Sequence, residues 1–347
     1  MNRVYGNFDI LSEHEATKWV PPASPGAGGH RGRYLWTDAF GVVNFVTLYQ
    51  EMQLPKYLTL AKRLVREVHA VLGKTRDGRE RLPGATDEKP LGGGLRIGKM
   101  AEFGSDGDGQ YHHYLTLWMF ALNRLSLAAR APEFNRLAIQ LAQAIHPHFI
   151  FQRPSSGDLK MVWKVSIDLH HILVPSEGHL DAATGYAIYH ILRDTAGKQG
   201  DGDKLLDAEI SDYFHIMHQK GAMKPSGDAL DLGMGLWISH FFDQEPWAIN
   251  FRREALKLAR DMMNEQSLEM RRPATRRLAF RELGACLGVL CSCPDGDLQK
   301  QVAGLVQFWD DYIQKVDEVD DLRPISEVMY AAAVIPGGEC PFSRVAG

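Results

Sequence analysis

Six stretches of the chain set an acid, an imidazole or a guanidinium at the start of an apolar run. They carry Asp38; His112 and His113; Glu177, His179 and Asp181; Asp228 and Asp231; Arg281 and Glu282; and Glu327. Two carboxyl groups can divide proton work, one protonated as acid and one ionised as base or nucleophile. Histidine titrates near neutrality and serves either duty. Asp38 is the first candidate, because it stands between Trp36 and Phe40, where burial raises a carboxyl pKa and a helix N-terminus opposes the rise. Asp181 comes second, with Glu177 and His179 just before it, and Asp231, Glu282 and Glu327 are candidate partner acids. His112 and His113 are neighbours, pointing about 100° apart if helical, so only one can face a given surface. A first-turn carboxylate also has a plain role, stabilising the helix N-terminus by about 0.3–1 kcal/mol. Their recurrence on six apolar segments makes them candidates together.

The elements that must position these groups are paired helices. Residues 36–52 are apolar nearly all round, as a helix buried on every side must be. Pro55 then opens an amphipathic helix that closes at Gly73, with Leu60, Ala61, Leu64, Val65 and Val68 on one face and Lys62, Arg63, Arg66 and Glu67 on the other. The couplet recurs at 111–127 with 133–151, 180–192 with 204–218, 229–242 with 247–263, and 278–290 with 298–313, and a last apolar helix covers 325–335. Gly41, Gly185, Gly233, Gly235, Gly284 and Gly288 lie in the inner helices. Each costs up to about 1 kcal/mol relative to alanine, so their repetition implies close backbone approach. Two stretches break the rhythm: a long Gly-rich loop over 74–110, and an alternating segment, 160–169, that reads as a short strand or hairpin.

Composition narrows the function classes. The 347 residues are 45% apolar and 24% charged, which is the profile of a folded chain. A net charge of −4 without a basic run speaks against nucleic acid or anionic lipid as partner. No apolar stretch is long enough to span a bilayer and no signal-like segment opens the chain, so a cytoplasmic protein is expected. Four cysteines (Cys286, Cys291, Cys293 and Cys340) are too few for a disulfide framework and read as reduced, buried thiols. Cys291-Ser292-Cys293 lacks the spacing of a zinc knuckle, and no compact His pair marks a metal centre, so neither metal nor cofactor is expected. GGLRIGKM (93–100) approaches a phosphate-binding loop but puts Met100 where a magnesium-holding hydroxyl belongs. Asp106 and Asp108 resemble the start of a calcium loop, yet Leu117 stands where its closing glutamate belongs.

The couplets, with RYLWTDAFG (33–41), GQYHHY (109–114), EGHLDAATG (177–185), DALDLGMG (228–235), FRELG (280–284) and ISEV (325–328), resemble the six-hairpin glycosidase superfamily over about residues 33–335. That superfamily holds glycoside hydrolases and unsaturated glucuronyl hydrolases, and N-acylglucosamine 2-epimerases share a closely similar toroid. The resemblance implies an all-α (α/α)6 toroid of helical hairpins with a short β insertion. Residues 1–32 would be an N-terminal extension, in which 12–19 could supply the missing helix of the ring, and 33–347 the toroid. It further implies a carbohydrate-active enzyme whose partner is a small sugar or glycoside. Glycoside hydrolysis by Asp38, Asp181, Asp231, Glu282 and Glu327 is the first expectation. An epimerase or isomerase using His112, His179, His113 and His240 is the alternative, and a non-catalytic ligand-binding toroid the third. Arg33, Tyr34, Trp36, Tyr111, His113, Trp118, Glu177 and Arg281 would then bind the sugar, the aromatics by stacking on its C–H face.

Overall fold

A computed structural model describes residues 1–22, 32–104, 107–153, 157–219, 223–292, 296–315 and 322–341. The chain divides into two compact units, Met1–Lys220 and Gly221–Gly347. Among the described residues of the first unit, helices α1 (Asn2–Tyr5) and α2 (Glu13–Ala16) precede α3 (Leu35–Met52) and α4 (Lys56–Leu72). Then come α5 (His112–Ala129), α6 (Pro132–Phe149), α7 (Asp181–Gln199) and α8 (Asp207–Gln219). The second unit holds α9 (Ala229–Ser239), α10 (Pro246–Met263), α11 (Ala279–Cys291), α12 (Gly296–Lys315) and α13 (Arg323–Val334).

The couplets expected from periodicity are present, with ends displaced by a few residues. In α3, every side chain from Leu35 to Val46 is buried, whereas α4 buries Leu60, Ala61, Leu64, Val65 and Val68 and turns its charges outward. The segment 12–19 is shorter than a ring helix requires. It contains only α2, closed by a capping box in which Ser12 and Glu15 exchange hydrogen bonds. Tyr5, Phe8 and Trp19 instead pack as a ring cluster on Phe45 of α3.

Small residues serve close approach where α9 meets α11. A Cβ on Gly233 would lie 2.1 Å from the carbonyl oxygen of Gly284, and one on Gly288 would lie 1.9 Å from that of Gly233. Either substitution would push the two backbones apart.

Strands are brief and confined to insertions. Strand β1 (Gln110–Tyr111) pairs antiparallel with β4 (Lys164–Val165), which pairs with β5 (Ile172–Val174); β2 (Ile150–Gln152) pairs with β3 (Leu159–Met161). The 160–169 segment is therefore the expected strand, split between two sheets. Its main consequence is at α5, where the backbone N–H of His112 donates to the carbonyl of Trp163 at 3.0 Å.

The long loop is held by a single carboxylate. Asp108 is fully buried and accepts from the backbone N–H groups of Gly98, Lys99 and Gly109 and from the guanidinium groups of Arg76 and Arg96. The near-match to a phosphate-binding loop is explained by this: the anion cradled by its N–H groups is Asp108 itself. The same contacts fill the coordination that a calcium ion would need from Asp108, while Asp106 lies outside the described residues. The loop then docks on the start of α3 and on the residue before β1, because Ile97 accepts from the N–H of Leu35 and donates to the carbonyl of Gly109.

Candidate active site

The beginnings of α3, α5 and α7 carry the first unit's candidate residues, and Asp181 is the centre of the arrangement. Its Oδ1 lies 3.5 Å from Nδ1 of His112 and 3.5 Å from Nδ1 of His113. Two adjacent imidazoles thus reach one carboxylate while their rings diverge. Burial pushes the Asp181 carboxyl upward, but the two imidazoles outweigh burial and hold it well below the ordinary range. It is an ionised group at neutral pH. Gly178 lies against it, and a Cβ there would sit 2.0 Å from Oδ2.

The two histidines differ in surroundings. His112 is fully buried, and its Nε2 meets the hydroxyl of Tyr213 at 2.7 Å. His112 thus bridges the Tyr213 hydroxyl and the Asp181 carboxylate. Burial pushes the Tyr213 hydroxyl well up, so the phenol stays neutral. Tyr213 reaches this place from α8 because Gly185 of α7 has no side chain; a Cβ there would meet the Tyr213 ring at 2.4 Å. His113 leaves 35% of its side chain exposed and is ringed by aromatics. Ring centroids of Tyr114, Tyr111, Trp163 and Trp36 stand 4.7, 5.8, 6.0 and 6.1 Å away. An accessible imidazole, oriented from behind by a carboxylate and walled by apolar rings, can take or give a proton at a carbon or oxygen of a ligand.

The β insertion brings a further segment to this place. Trp163 donates its backbone N–H to the carbonyl of Ser176 and its indole N–H to the Ser176 hydroxyl. That fixes the loop carrying Glu177, half-buried, and His179, exposed, directly ahead of Asp181.

Asp38 is placed otherwise. It is fully buried, and its Oδ1 accepts from Arg33 at 2.9 Å and from the hydroxyl of Tyr5 at 3.0 Å. Burial raises its pKa, and Arg33 and Tyr5, rather than a helix end, work against the rise. Tyr5 of α1 thus reaches the start of α3. Tyr34 is buried, lies 5.7 Å from Tyr114 by ring centroid and carries Lys99 over its face. Trp118 lies in the core, with its indole N–H donating to His69 of α4 at 3.0 Å, so it offers no open ring face.

In the second unit the candidate groups sit at the starts of α9, α11 and α13. Asp228 caps α9, accepting from the N–H groups of Leu230 and Asp231, and its other oxygen accepts from Arg281 at 2.5 Å. Asp231 accepts from the Ser226 hydroxyl. Glu282 has both oxygens engaged, by Arg277 at 2.8 and 2.5 Å and by the Trp309 indole at 2.8 Å. Glu327 is buried, 3.5 Å from Arg323 one turn earlier. His240 is buried at the end of α9, with Nδ1 on the Trp237 carbonyl.

Solved structures share this architecture. A sugar epimerase from a ruminal bacterium matches with a TM-score of 0.53 at 11% identity, covering 87% of each chain. The cellobiose 2-epimerase of Bacillus thermoamylovorans gives 0.53 at 10% identity, over 92% of this chain and 90% of that one. That of Spirochaeta thermophila gives 0.51 at 14%, over 88% and 87%. The fold is similar to that of these sugar epimerases. The described residues form the all-α class of helical hairpins with short strands that the resemblance implied. No protein-family model and no curated protein matches the chain. No helix of the described residues is long and apolar enough to cross a membrane.

Sequence reasoning missed Tyr213, Tyr114 and Trp163 as parts of this place. Tyr114 stands inside GQYHHY, where adjacency was a usable signal. Tyr213 lies on an outer helix 101 residues from His112, and nothing local marks it.

Proposed function

We propose that this chain is a carbohydrate-active enzyme, a sugar epimerase or isomerase that moves a proton at a carbon beside a carbonyl. His113 is the general base and acid that meets the substrate, and Asp181 orients the imidazole from behind. His112 and Tyr213 fix Asp181 from its buried side as positioning residues. The observation that carries this reading is the ionised Asp181 shared by two imidazoles, one of them half-exposed within Trp36, Tyr111, Tyr114 and Trp163. Tyr114 and Trp163, the half-buried rings beside His113, suit the C–H face of a sugar ring, whereas Trp36 and Tyr111 are buried. Glu177 and His179 are the nearest polar groups in sequence for its hydroxyls. His179 is the candidate for returning the proton from the opposite face. The solved sugar epimerases of the same fold support the choice of a small reducing sugar as substrate.

In the paired-carboxyl mechanism of glycoside hydrolysis, one partner must be a protonated acid. That role finds less support here, since Asp181 is held ionised, Glu282 has both oxygens engaged, and Asp38, although burial raises its pKa, is fully buried and enclosed by Arg33 and Tyr5. The test is product analysis after incubation with reducing aldoses and β-linked disaccharides, beside aryl glycosides. Interconverted sugars of unchanged mass, lost in His113→Ala, are the expected result. Aryl-glycoside release without interconversion would overturn the reading in favour of hydrolysis, and ligand-induced stabilisation without turnover would overturn it in favour of a binding protein.

A further inference from the structure

Away from the helix starts, at the opposite ends of α9 and α11, the second unit gathers one imidazole and two thiols. His240 follows the last residue of α9, Cys291 is the last residue of α11, and Cys340 lies in the segment after α13. A ring nitrogen of His240 and the two Sγ atoms all lie within 4.8 Å of one another. The sulfurs are 3.7 Å apart, well beyond the roughly 2.05 Å of a disulfide. Tetrahedral zinc with Zn–S bonds of about 2.3 Å places its sulfurs about 3.8 Å apart, so this pair already has the edge length of a metal site.

The histidine is set up as a ligand. Its Nδ1 is bonded to the carbonyl oxygen of Trp237, the outer hydrogen bond that fixes tautomer and ring orientation in metal-bound histidines. Its Nε2 is left buried with no hydrogen-bond partner, in a residue only 2% exposed. A buried imidazole nitrogen without a partner carries a desolvation cost that a cation would remove. Two helix C-termini meet here, and their carbonyl ends favour positive charge. The segment carrying Cys340 is fastened nearby, since the Trp237 indole donates to the Glu339 carbonyl at 3.2 Å.

We propose that His240 Nε2, Cys291 Sγ and Cys340 Sγ bind one thiophilic divalent ion, zinc(II), with solvent in the fourth position. Both thiols lose their protons as the ion enters, and the two thiolates neutralise its charge. The widest separation in the triad need shorten by at most about 1.3 Å to reach zinc-site dimensions. The site ties the end of the chain to α9 and α11 and is structural, because it sits at the far end of those helices from their first-turn acids. Sequence reading found no metal signal since Cys291 and Cys340 are 49 positions apart and only the packing of α9 on α11 brings His240 to them.

The test uses the full chain purified under reducing conditions, stripped with a chelator and titrated with cobalt(II), then with zinc(II). One equivalent of cobalt should produce thiolate charge-transfer and tetrahedral ligand-field bands, which zinc displaces, and zinc should raise Tm. Cys340→Ser and His240→Ala should lose the bands and the Tm shift, while Cys286→Ser keeps both. Circular dichroism confirms that each variant is folded, and Cys340→Ser, which lies outside every helix, keeps the test usable if His240→Ala unfolds. Absence of bands while thiol titration shows reduced cysteines, or a Cys291–Cys340 disulfide that persists with zinc present, would overturn the proposal.

Discussion

At the scale of single residues, the account turns on which groups can change charge. Asp181 cannot serve as an acid near neutrality, since its imidazole neighbours keep it ionised. Asp181→Asn should therefore leave His113 unsupported and lower turnover on the order of 10²–10⁴-fold, the usual contribution of a positioned acid–base group. Steady-state kinetics on interconverting sugars check this, and a near-normal rate would remove Asp181 from the mechanism. A depressed carboxylate also contributes stability that is present above the ordinary aspartate pKa of about 4 and fades as pH falls below it. His69 acts in a neighbouring window: burial pushes its pKa down to about 4, so it stays neutral in the core beside Trp118. An unfolded histidine binds its proton near pH 6.5, so stability is complete above that value and is lost as pH falls toward 4. His69→Gln should remove about one proton from the pH dependence of Tm over that window. An unchanged slope would contradict the neutral, buried assignment.

At the scale of elements, insertions do the aiming. Helices α3, α5 and α7 were legible because apolar periodicity and helix punctuation are local properties of the chain. Their boundaries shifted where a neighbour intervened, as at α5, whose first residue is fixed by a hydrogen bond to Trp163. Tyr213 was not legible, because its role depends on a glycine of another helix. Gly185→Ala drives a Cβ into the Tyr213 ring and should cost about 1–3 kcal/mol by overpacking. Denaturant unfolding measures the cost, and Gly185→Ala with Tyr213→Phe should not recover turnover. The long loop depends on Asp108 in the same way. Asp108→Asn leaves Arg96 buried without its carboxylate, a loss of about 3–5 kcal/mol for broken buried pairs. Limited proteolysis should then cut within 74–104 well before any helix, and equal resistance of wild type and variant would show the clamp to be dispensable.

At the scale of the whole molecule, fold and chemistry were readable to different depths. Repeated couplets of buried and amphipathic helices sufficed for the fold, since they depend on hydrophobic patterning that survives at 10–14% identity. The roles of the acids were not readable in the same way. Asp38, Glu282 and Asp181 look alike in sequence, each an acid in the first turn of an apolar helix. One is bound by Arg33 and Tyr5, one by Arg277 and Trp309, and one by two histidines. The partners come from sequence separations of 5 to 69 positions, and composition cannot tell a guanidinium neighbour from an imidazole. The measurement that bears most directly on the central claim is solvent exchange in deuterium oxide, followed by NMR of the sugar recovered from wild type and His113→Ala. Deuterium at the carbon next to the carbonyl, incorporated by the wild type and not by the variant, is the result expected. Turnover of the sugar with that position still fully protonated, or undiminished exchange in His113→Ala, would contradict the account.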